Sequence, residues 1–284
     1  MRARLPAWEK RSLERCRVHY EVEKELAARL RLSTREQRKQ LYSTVYDELF
    51  GRVPDHPLLT RKTTQEDRTA KLRRRIRLLE PYLRPDAVFL EIGAGDCHVS
   101  LEVARRVDAV CAIEVSEGIV SGVSPPANMQ IVISNGVSVP VPDRSISVAL
   151  SDQLMEHLHP DDALAQLREV FRVLRDGGVY ICITPNRLSG PHDVSGYFED
   201  VATGFHLKEY TFSELSDLFC RAGFETARGR LRVGDFYLNT PPLLHRCVES
   251  ALAPLPPRVR RRLAGTLPLR GILGLQTVAR KALG

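Results

Sequence analysis

The nine residues VFLEIGAGD, at positions 88–96, join an apolar run to a glycine-rich turn. A short apolar run bounded by turn residues predicts a buried strand, here over residues 88–92. Gly93 and Gly95 follow this run and precede a helical pattern that starts near His98. Glycine lets the backbone turn sharply and approach a ligand, and the free N–H groups of a helix start favour an anionic group. The stretch therefore predicts a strand, a ligand-binding turn and a helix in that order.

Strands and helices alternate after this stretch. Helical spacing predicts helices near residues 98–106, 161–174 and 212–222. Six further apolar runs predict strands at residues 110–113, 129–133, 146–150, 179–183, 224–233 and 275–279. Such alternation predicts an α/β fold with a doubly wound, mostly parallel, seven-stranded sheet of the Rossmann-like kind. Ligands are then expected beyond the carboxyl ends of the strands.

The two ends of the chain differ from this central pattern. Residues 9–50 carry apolar side chains at helical spacing among charged ones, and a second, basic helix is predicted from about Gln65 to Leu79. We therefore expect residues 1–80 to form a helical lid over a core domain at residues 81–284. Many of the prolines cluster at about residues 241–270, where we expect a helical or loop insertion.

Charge is distributed unevenly along the chain. The net charge of +7 is the sum of about +10 over residues 1–84, −12 over residues 85–225 and +9 over residues 226–284. Basic flanks attract an anionic substrate or surface, although solvated helix faces explain them equally well. Aromatic residues make up only 6% of the chain and do not interleave with the basic runs, so we expect no specific nucleic-acid partner.

Composition also bears on compartment and cofactors. No stretch approaches the roughly 20 apolar residues that span a bilayer, and no apolar run follows the N-terminus, so we expect neither a membrane span nor a secretory signal. Six scattered cysteines without a C-x-x-C pair argue against a zinc site and a disulfide framework. We expect a cytoplasmic protein with reduced thiols and no metal, and the sequence leaves a homodimer open.

Two acidic residues at predicted strand ends distinguish between cofactor types. Glu114 ends the second strand about 20 residues after the glycines, where a carboxylate can accept hydrogen bonds from ribose hydroxyls. His98 stands where a dinucleotide-binding motif has its third glycine. Glu91 would repel a pyrophosphate, whereas a cofactor with an ammonium and a sulfonium group suits it. Alternatively Glu91 ties down the N–H groups of the glycine turn, since buried charges are usually paired.

These features carry a resemblance that covers about residues 85–185. The segment resembles the class I S-adenosylmethionine (SAM)-dependent methyltransferases, in particular their broad small-molecule group. The stretch at 88–96 is similar to the first motif of that family, and Glu114 is similar to its ribose-binding acid. Asn135 and Gly136 resemble the loop on the adenine side, although the family more often has Asp where Asn135 stands.

Two further segments extend the resemblance. Residues 151–158, SDQLMEHL, resemble the segment after the fourth strand, and residues 171–178, FRVLRDGG, resemble the entry to the fifth. The resemblance implies an enzyme with SAM as its cofactor and a small-molecule methyl acceptor, and we expect O-methylation of a hydroxyl or carboxyl group. It implies cofactor contacts from Glu91, Gly93, Ala94, Gly95, Glu114, Val115, Asn135, Gly136, Ser151 and Gln153.

Three histidines are candidates for a general base. Removal of a proton from an O–H acceptor suits an imidazole, whose pKa is about 6.5. His192 lies beside Asp193 just past the fifth strand, His157 follows the fourth strand, and His206 lies further along the chain. A structural role or a simple substrate contact is the alternative for each, and it is favoured for His157 and His206.

The acceptor pocket is expected between the lid and the segment after the fifth strand. We expect residues 1–80 and 186–210 to close over the catalytic edge of the sheet. The side chains expected there, besides the histidines, are Leu41, Val45, Tyr197 and Phe198, with Tyr42, Tyr46 and His56 as weaker candidates.

Three other functions remain open. The basic flanks favour an RNA or other macromolecule methyltransferase, but residues 151–154 lack the Asn/Asp-Pro-Pro-aromatic motif of enzymes that methylate exocyclic base amines. Intact Glu91, Gly93, Gly95 and Glu114 disfavour a non-catalytic methyltransferase-like scaffold. The missing third glycine disfavours an NAD-dependent oxidoreductase, and fold analogy alone cannot choose a reaction.

Overall fold

The central sheet has eight strands among the residues that the computed structural model describes, which are 5–6, 8–60 and 64–284. Residues 1–4, 7 and 61–63 of the predicted lid lie outside this described part. The strands are β1 (Val88–Ile92), β2 (Ala109–Glu114), β3 (Met129–Ile133), β4 (Ile146–Asp152), β5 (Leu174–Thr184), β6 (Thr226–Val233), β7 (Phe236–Thr240) and β8 (Leu275–Arg280). Their spatial order is β3-β2-β1-β4-β5-β8-β6-β7.

The first five strands form a parallel sheet, which confirms the predicted α/β class. β1 pairs with β2 and β4, β2 pairs with β3, and β4 pairs with β5, all in parallel. β8 is antiparallel to both β5 and β6. Parallel neighbours require a crossover connection, and helices supply most of these connections here. The carboxyl ends of β1 to β5 therefore meet at one edge, where ligand-binding loops collect.

The sheet has eight strands and not the predicted seven. The additional strand, β7, forms an antiparallel hairpin with β6 at the edge of the sheet. Gly234 and Asp235 make the two-residue turn, and Gly234 has a φ of 60°, which such hairpin turns favour. Phe236 and Leu238 of β7 are exposed. The strand thus lacks the buried apolar run by which the other strands were predicted.

Eleven helices surround the sheet in the described part of the chain. They are α1 (Leu13–Leu32), α2 (Arg35–Arg52), α3 (Pro57–Thr60), α4 (Gln65–Leu79), α5 (His98–Val103), α6 (Glu117–Val120), α7 (Pro160–Val173), α8 (Phe212–Ala222), α9 (Pro242–Leu252), α10 (Pro257–Ala264) and α11 (Leu269–Ile272). α1 and α2 are separate because Thr34 caps the second helix: its hydroxyl accepts the N–H of Gln37, whose side chain in turn accepts the N–H of Thr34. The predicted proline-rich insertion contains α9, α10 and α11.

Two hydrophobic layers cover the two faces of the sheet. Leu90 and Ile113 belong to one layer, together with apolar residues of α1, α2, α7 and α8. Phe89 and Ala112 belong to the other, together with residues of α4 and α5. Because side chains alternate across a strand, neighbours in sequence enter opposite layers. The predicted lid is thus divided, with α1 and α2 on one face and α4 on the other.

A buried ion pair anchors α2 to the core. Arg38 donates two hydrogen bonds of 2.5 and 2.9 Å to Asp162, at the start of α7, and the Tyr42 hydroxyl donates a third, of 2.9 Å. Asp162 lies in the first turn of α7, where its negative charge also complements the helix dipole. Removing one partner of such a pair leaves a buried charge, which costs about 3–5 kcal/mol. The contact therefore holds α2 firmly over this face of the sheet.

None of the helices in the described residues is long and apolar enough to cross a membrane. All six cysteines lie in the described part, and each is a free thiol.

Candidate active site

The glycine turn is held by the neighbouring strand. Gly93 and Gly95 have φ values of 70° and 54°, in the left-handed region that favours glycine. The N–H groups of Gly93 and Ala94 donate to the carbonyl of Ile113 at 2.9 and 3.1 Å. A Cβ atom at Gly95 would meet nothing within 4 Å. The turn is thus rigid on its sheet side and open on the side where a ligand is expected.

Glu114 links the second strand to this turn. Its buried carboxylate accepts the N–H of Gly95 at 2.8 Å and the N–H of Val115 at 2.7 Å. A carboxylate has about four lone-pair sites, so capacity remains for two further donors such as ribose hydroxyls. Glu114 therefore shapes the glycine turn and can also bind a ligand.

Glu91 is bonded to the helix that follows the turn. Its Oε2 accepts the N–H and the hydroxyl of Ser100 in α5, at 3.0 and 2.5 Å. The alternative role expected for Glu91, holding backbone N–H groups, is thus met at α5 and not at the glycines. Burial raises the pKa of Glu91 to about 8. A cationic ligand group nearby would favour its ionised form.

The loop after β3 lies under the lid helix α2. The side-chain oxygen of Asn135 accepts the N–H groups of Val137 and Ser138, at 3.0 and 2.9 Å. A Cβ atom at Gly136 would lie 3.3 Å from the ring of Tyr42. The Asn135 amide nitrogen donates to the Ser138 hydroxyl at 3.0 Å. Both ends of the side chain are thus used within its own turn, and only the second amide N–H remains for an adenine.

The end of β4 holds the last two predicted cofactor residues. The Ser151 hydroxyl is buried and lies 2.6 Å from the Tyr180 hydroxyl. Gln153 has a φ of 59°, and its N–H donates to the carbonyl of Ile183 at 2.7 Å. Because the Ser151 side chain points into the core, only its backbone is free to meet a cofactor.

A cavity of about 500 Å³ lies between the N-terminal helices and the segment after β5. The three predicted histidines, His157, His192 and His206, all line it. Other lining residues are His19, Glu23, Tyr46, His56, Tyr197 and Phe205. The predicted acceptor pocket thus has a physical counterpart, built from both expected segments.

Three residues expected in this pocket lie elsewhere. Val45 is 1% exposed in the hydrophobic layer, and Leu41 packs against the same layer. Phe198 stacks on Tyr20, with ring centroids 5.0 Å apart. Helical spacing identified Leu41 and Val45 as apolar positions, and these positions pack against the sheet.

Two histidines of the cavity present a free ring nitrogen. Nδ1 of His157 lies 3.0 Å from the carbonyl oxygen of Phe205, and Nδ1 of His206 lies 2.7 Å from the carboxylate of Glu209. Since both partners only accept, each Nδ1 carries the proton and each Nε2 keeps its lone pair. The two rings stand edge to face, with centroids 5.0 Å apart.

Glu156 completes what we call the cavity triad: Glu156, His157 and His206. One ligand-type atom of each lies within 4.8 Å of the other two. The Glu156 Oε2 accepts the Thr184 hydroxyl at 2.8 Å, whereas the buried Oε1 has no hydrogen-bond partner among the described residues. A buried carboxylate oxygen without a partner is costly, so it marks a place where a further group fits.

Burial shifts the acid–base properties of this triad. It raises the pKa of Glu156 to about 7 and lowers the pKa of His157 to about 3. Burial also lowers the pKa of His206, but the hydrogen bond to Glu209 and the charge of Glu156 outweigh it, so the pKa of His206 is raised. Perturbed groups of this kind concentrate at functional sites.

A second group of the same composition, the lid triad, consists of His19, Glu23 and His56. Its ligand-type atoms also lie within 4.8 Å of one another. Nε2 of His19 is 2.8 Å and Nε2 of His56 is 3.7 Å from Glu23. Nδ1 of His19 lies 3.1 Å from the Arg11 guanidinium, and Nδ1 of His56 accepts the N–H of Leu58 at 3.1 Å. Both Nδ1 atoms are acceptors here, so both Nε2–H groups point at Glu23.

The backbone of Phe205 joins the two triads. The Glu23 carboxylate accepts the Phe205 N–H at 3.2 Å, and the Phe205 carbonyl accepts the His157 Nδ1–H at 3.0 Å. Burial raises the pKa of Glu23, but hydrogen bonds from His19 and His56 lower it to about 2. The ionised Glu23 therefore supports the position of His157 through one residue of main chain.

His192 is less free than the histidines of the cavity triad. Its Nε2 lies 2.9 Å from the Ser189 hydroxyl and 3.2 Å from the carbonyl oxygen of Asn186. Its backbone N–H donates to Glu209 at 2.7 Å. Nε2 is thus occupied by its own loop, and only Nδ1 is available to a substrate.

Sequence reasoning missed the carboxylates of both triads. Three spacings between glutamate and histidine were present in the sequence. Glu23 lies four residues after His19, which places both on one helix face, and Glu156 directly precedes His157. Glu209 lies three residues after His206. Each signal is common in proteins without a site, so only the distances distinguish it.

Comparison with known proteins points to one family. Residues 90–182 match the family model described as a methyltransferase domain. A relative from Mycolicibacterium smegmatis, named Probable S-adenosylmethionine-dependent methyltransferase, is 34% identical over 139 residues, which cover 48% of this chain and 51% of the relative. The chain thus spans about half the length of the curated relative that it matches.

Solved structures share the fold over more of the chain. Phosphoethanolamine N-methyltransferase 1 of Haemonchus contortus superposes with a TM-score of 0.57 at 15% identity, over 89% of this chain and 50% of that one. A Haloferax volcanii methyltransferase, solved with the Trm112 methyltransferase activator, gives a TM-score of 0.52 at 14% identity, over 77% of this chain and 95% of that one. At these identities the likeness concerns the fold alone.

Proposed function

We propose that the chain is a class I SAM-dependent methyltransferase and that it transfers a methyl group from SAM to a hydroxyl or carboxyl oxygen of a small, partly apolar molecule. The match of residues 90–182 to a methyltransferase domain and the similarity to a relative named for SAM-dependent methyl transfer support the reaction. The observation that carries the choice of acceptor is the cavity of about 500 Å³ with two free imidazole nitrogens on its wall. Cavities of roughly 300–1,000 Å³ suit small ligands.

The residues at the ends of β1 and β2 fit SAM. SAM supplies an electrophilic methyl group on a positively charged sulfur. The open side of Gly95 leaves room for a ligand, and Glu114 has acceptor capacity for ribose hydroxyls. A cationic group of the cofactor would favour the ionised form of Glu91, whereas a pyrophosphate would oppose it.

The segment after β4 connects the cofactor residues to the wall of the cavity. The Leu154 side chain would lie 3.3 Å from a Cβ atom at Gly93, and His157 follows three residues later. Tyr46, Tyr197 and Phe205 give the cavity aromatic walls. Such a wall suits an apolar molecule whose polar group is directed to the histidines.

Positioning and proton removal are what the chain's own residues supply. As an acceptor oxygen attacks the methyl carbon, the new O–C bond uses an oxygen lone pair, and the electrons of the broken C–S bond stay on sulfur. The hydroxyl proton passes to a free Nε2 of the cavity triad, which faces the cavity through His157 and His206. A carboxylate acceptor needs no base, only alignment.

A labelling experiment tests this proposal. The protein is incubated with methyl-labelled SAM and a metabolite extract of the source organism, and small molecules are separated from protein and RNA. We expect label in a small molecule, stable to mild base for an ether and labile for an ester. Label that enters only the RNA or protein fraction would support the macromolecule alternative. Calorimetry should show micromolar SAM binding, about −7 to −8 kcal/mol, and no tight NAD binding.

A further inference from the structure

Two groups of two histidines and one glutamate stand out among the described residues, and their hydrogen bonds differ in one respect that decides cation binding. We propose that the cavity triad, Glu156, His157 and His206, binds a divalent transition-metal cation such as Zn²⁺, with an open coordination position towards the cavity. The sequence predicted no metal, because that prediction relied on cysteine spacing.

The histidines of the cavity triad are already in the ligating tautomer. A metal-binding histidine donates its other ring N–H to a carbonyl or carboxylate, which fixes both the tautomer and the ring orientation. His157 donates Nδ1–H to the Phe205 carbonyl, and His206 donates Nδ1–H to Glu209. In the neutral form of each ring, the Nε2 lone pair is therefore available to a cation.

The third ligand is the unpartnered oxygen of Glu156. The side chain is fully buried, and Thr184 fixes its Oε2 at 2.8 Å, so Oε1 is held in one place. A buried anionic oxygen without a partner is unfavourable unless a cation or donor joins it. A metal ion at the triad would satisfy this atom and the two Nε2 atoms together.

The lid triad serves as an internal contrast. His19 and His56 both accept a hydrogen bond at Nδ1, so both carry the proton on the Nε2 that faces Glu23. A protonated Nε2 cannot bind a metal. The lid triad has the composition of a metal site, but in it two imidazole N–H groups are directed at one carboxylate.

The ligand set indicates the kind of metal. Two imidazoles and one carboxylate suit Zn²⁺ and its first-row neighbours, whereas Mg²⁺ prefers oxygen ligands. Three protein ligands with one open position are typical of catalytic zinc sites. The purpose of the metal rests on the proposed function, and the metal takes the place of its imidazole base. With both Nε2 atoms bound to the cation, the cation favours the deprotonated form of an acceptor hydroxyl, and the proton leaves to solvent water. Metal binding itself does not depend on that function.

Metal binding can be measured without any acceptor. Protein stripped with a chelator is titrated with ZnCl₂ or MgCl₂ by calorimetry, and bound metal is counted by elemental analysis. We expect one Zn²⁺ per chain and at least tenfold weaker Mg²⁺ binding. Glu156→Gln and His206→Gln should each weaken Zn²⁺ binding at least tenfold. His19→Gln, in the lid triad, should leave it within threefold of the parent.

Each result of the metal titrations supports or overturns the proposed metal site. Absence of Zn²⁺ binding to the folded parent, or binding that survives both cavity-triad substitutions, would overturn the proposal. Loss of binding in His19→Gln alone would assign the metal to the lid triad. Circular dichroism checks the folding of each variant. If Glu156→Gln does not fold, Glu209→Gln tests the same site, because it replaces the carboxylate that accepts the Nδ1–H of His206. Zn²⁺ binding without label transfer from SAM would contradict the proposed function and leave this inference standing.

Discussion

The cavity triad and the lid triad each contain two histidines and one glutamate at similar separations, yet they differ in where the histidine protons lie. In the cavity triad each Nδ1 donates outward and leaves Nε2 free; in the lid triad each Nδ1 accepts and Nε2 points at Glu23. Composition and distance therefore do not identify a reactive site by themselves. The hydrogen-bond partner of the second ring nitrogen of each histidine identifies the reactive site.

Their supports differ as well. His157 follows β4, and His206 is fixed by Glu209 in the segment after β5, so the cavity triad is built on the end of the sheet. His19 and Glu23 belong to α1, and His56 immediately precedes α3. The first arrangement suits chemistry that needs fixed geometry, and the second suits docking of a lid.

The largest expected effect separates the triads by turnover. With the acceptor found by labelling, Glu156→Gln should lower kcat at least about a hundredfold and leave the SAM Kd unchanged, because it removes a cavity-triad group used only on the acceptor side. His19→Gln should lower kcat less than tenfold. His245→Gln is a matched control, since His245 is equally buried but stacks on Phe212 away from both triads. Equal losses of kcat in Glu156→Gln and His19→Gln would contradict a difference in function between the two triads.

A pH dependence of stability should belong to the lid triad. The pKa of Glu23 is about 2 in the folded protein, against an ordinary value of 4.5. Its stabilising contribution is complete above pH 4.5 and is lost as the pH falls towards 2. The difference corresponds to on the order of 3 kcal/mol. Urea unfolding of the parent and of Glu23→Gln across this range should show a gap that closes on acidification; a constant gap would contradict it.

Cofactor binding should be independent of both triads. Glu114→Ala should weaken SAM binding by about 1–3 kcal/mol, because ribose hydroxyls and the Gly95 N–H lose a charged acceptor. Calorimetry on folded Glu114→Ala beside Glu156→Gln would show this. Parent-like affinity in Glu114→Ala would exclude Glu114 as the ribose ligand, and weakened affinity in Glu156→Gln would join the two halves of the site.

The smallest expected effect concerns His192. Its Nε2 is occupied within its own loop, so His192→Ala should reduce kcat by no more than about tenfold and change KM for the acceptor more than kcat. Steady-state kinetics with varied acceptor gives both constants. A loss of about a hundredfold in kcat at unchanged SAM affinity would make His192 the base and move the chemistry out of the cavity triad.

The sequence predicted that the glycine turn and Glu114 lie together, but not the contacts of the cavity, for a physical reason. Gly93 and Gly95 follow β1 and Glu114 ends the adjacent parallel strand β2, so local motifs are enough to bring them together. The acceptor side joins Glu23 to Phe205, which are 182 positions apart. Which ring nitrogen of a histidine carries the proton depends on such distant partners, and the spacing of residues in the sequence does not predict it.

The same reasoning explains the errors in the fold. Strands β1, β2 and β4 and the second half of β5 are buried on two faces and have continuous apolar runs, whereas β7 exposes Phe236 and Leu238 at an edge. Leu41 and Val45 have the helical spacing of lid residues, but that spacing does not say whether a helix faces a cavity or the core. In the structure both residues pack against the hydrophobic layer on the sheet, so this face of α2 is directed to the core.

Phe205 has a consequence for how the cavity opens. Its N–H is held by a carboxylate of α1, while its carbonyl is held by His157 at the edge of the sheet. Hydrogen exchange at an amide requires its bond to open, so the exchange rate of this one amide records how often α1 separates from the cavity. A ligand that needs the closed form slows that exchange. The hydrogen-exchange rate of the Phe205 amide therefore measures how often the cavity opens to a ligand.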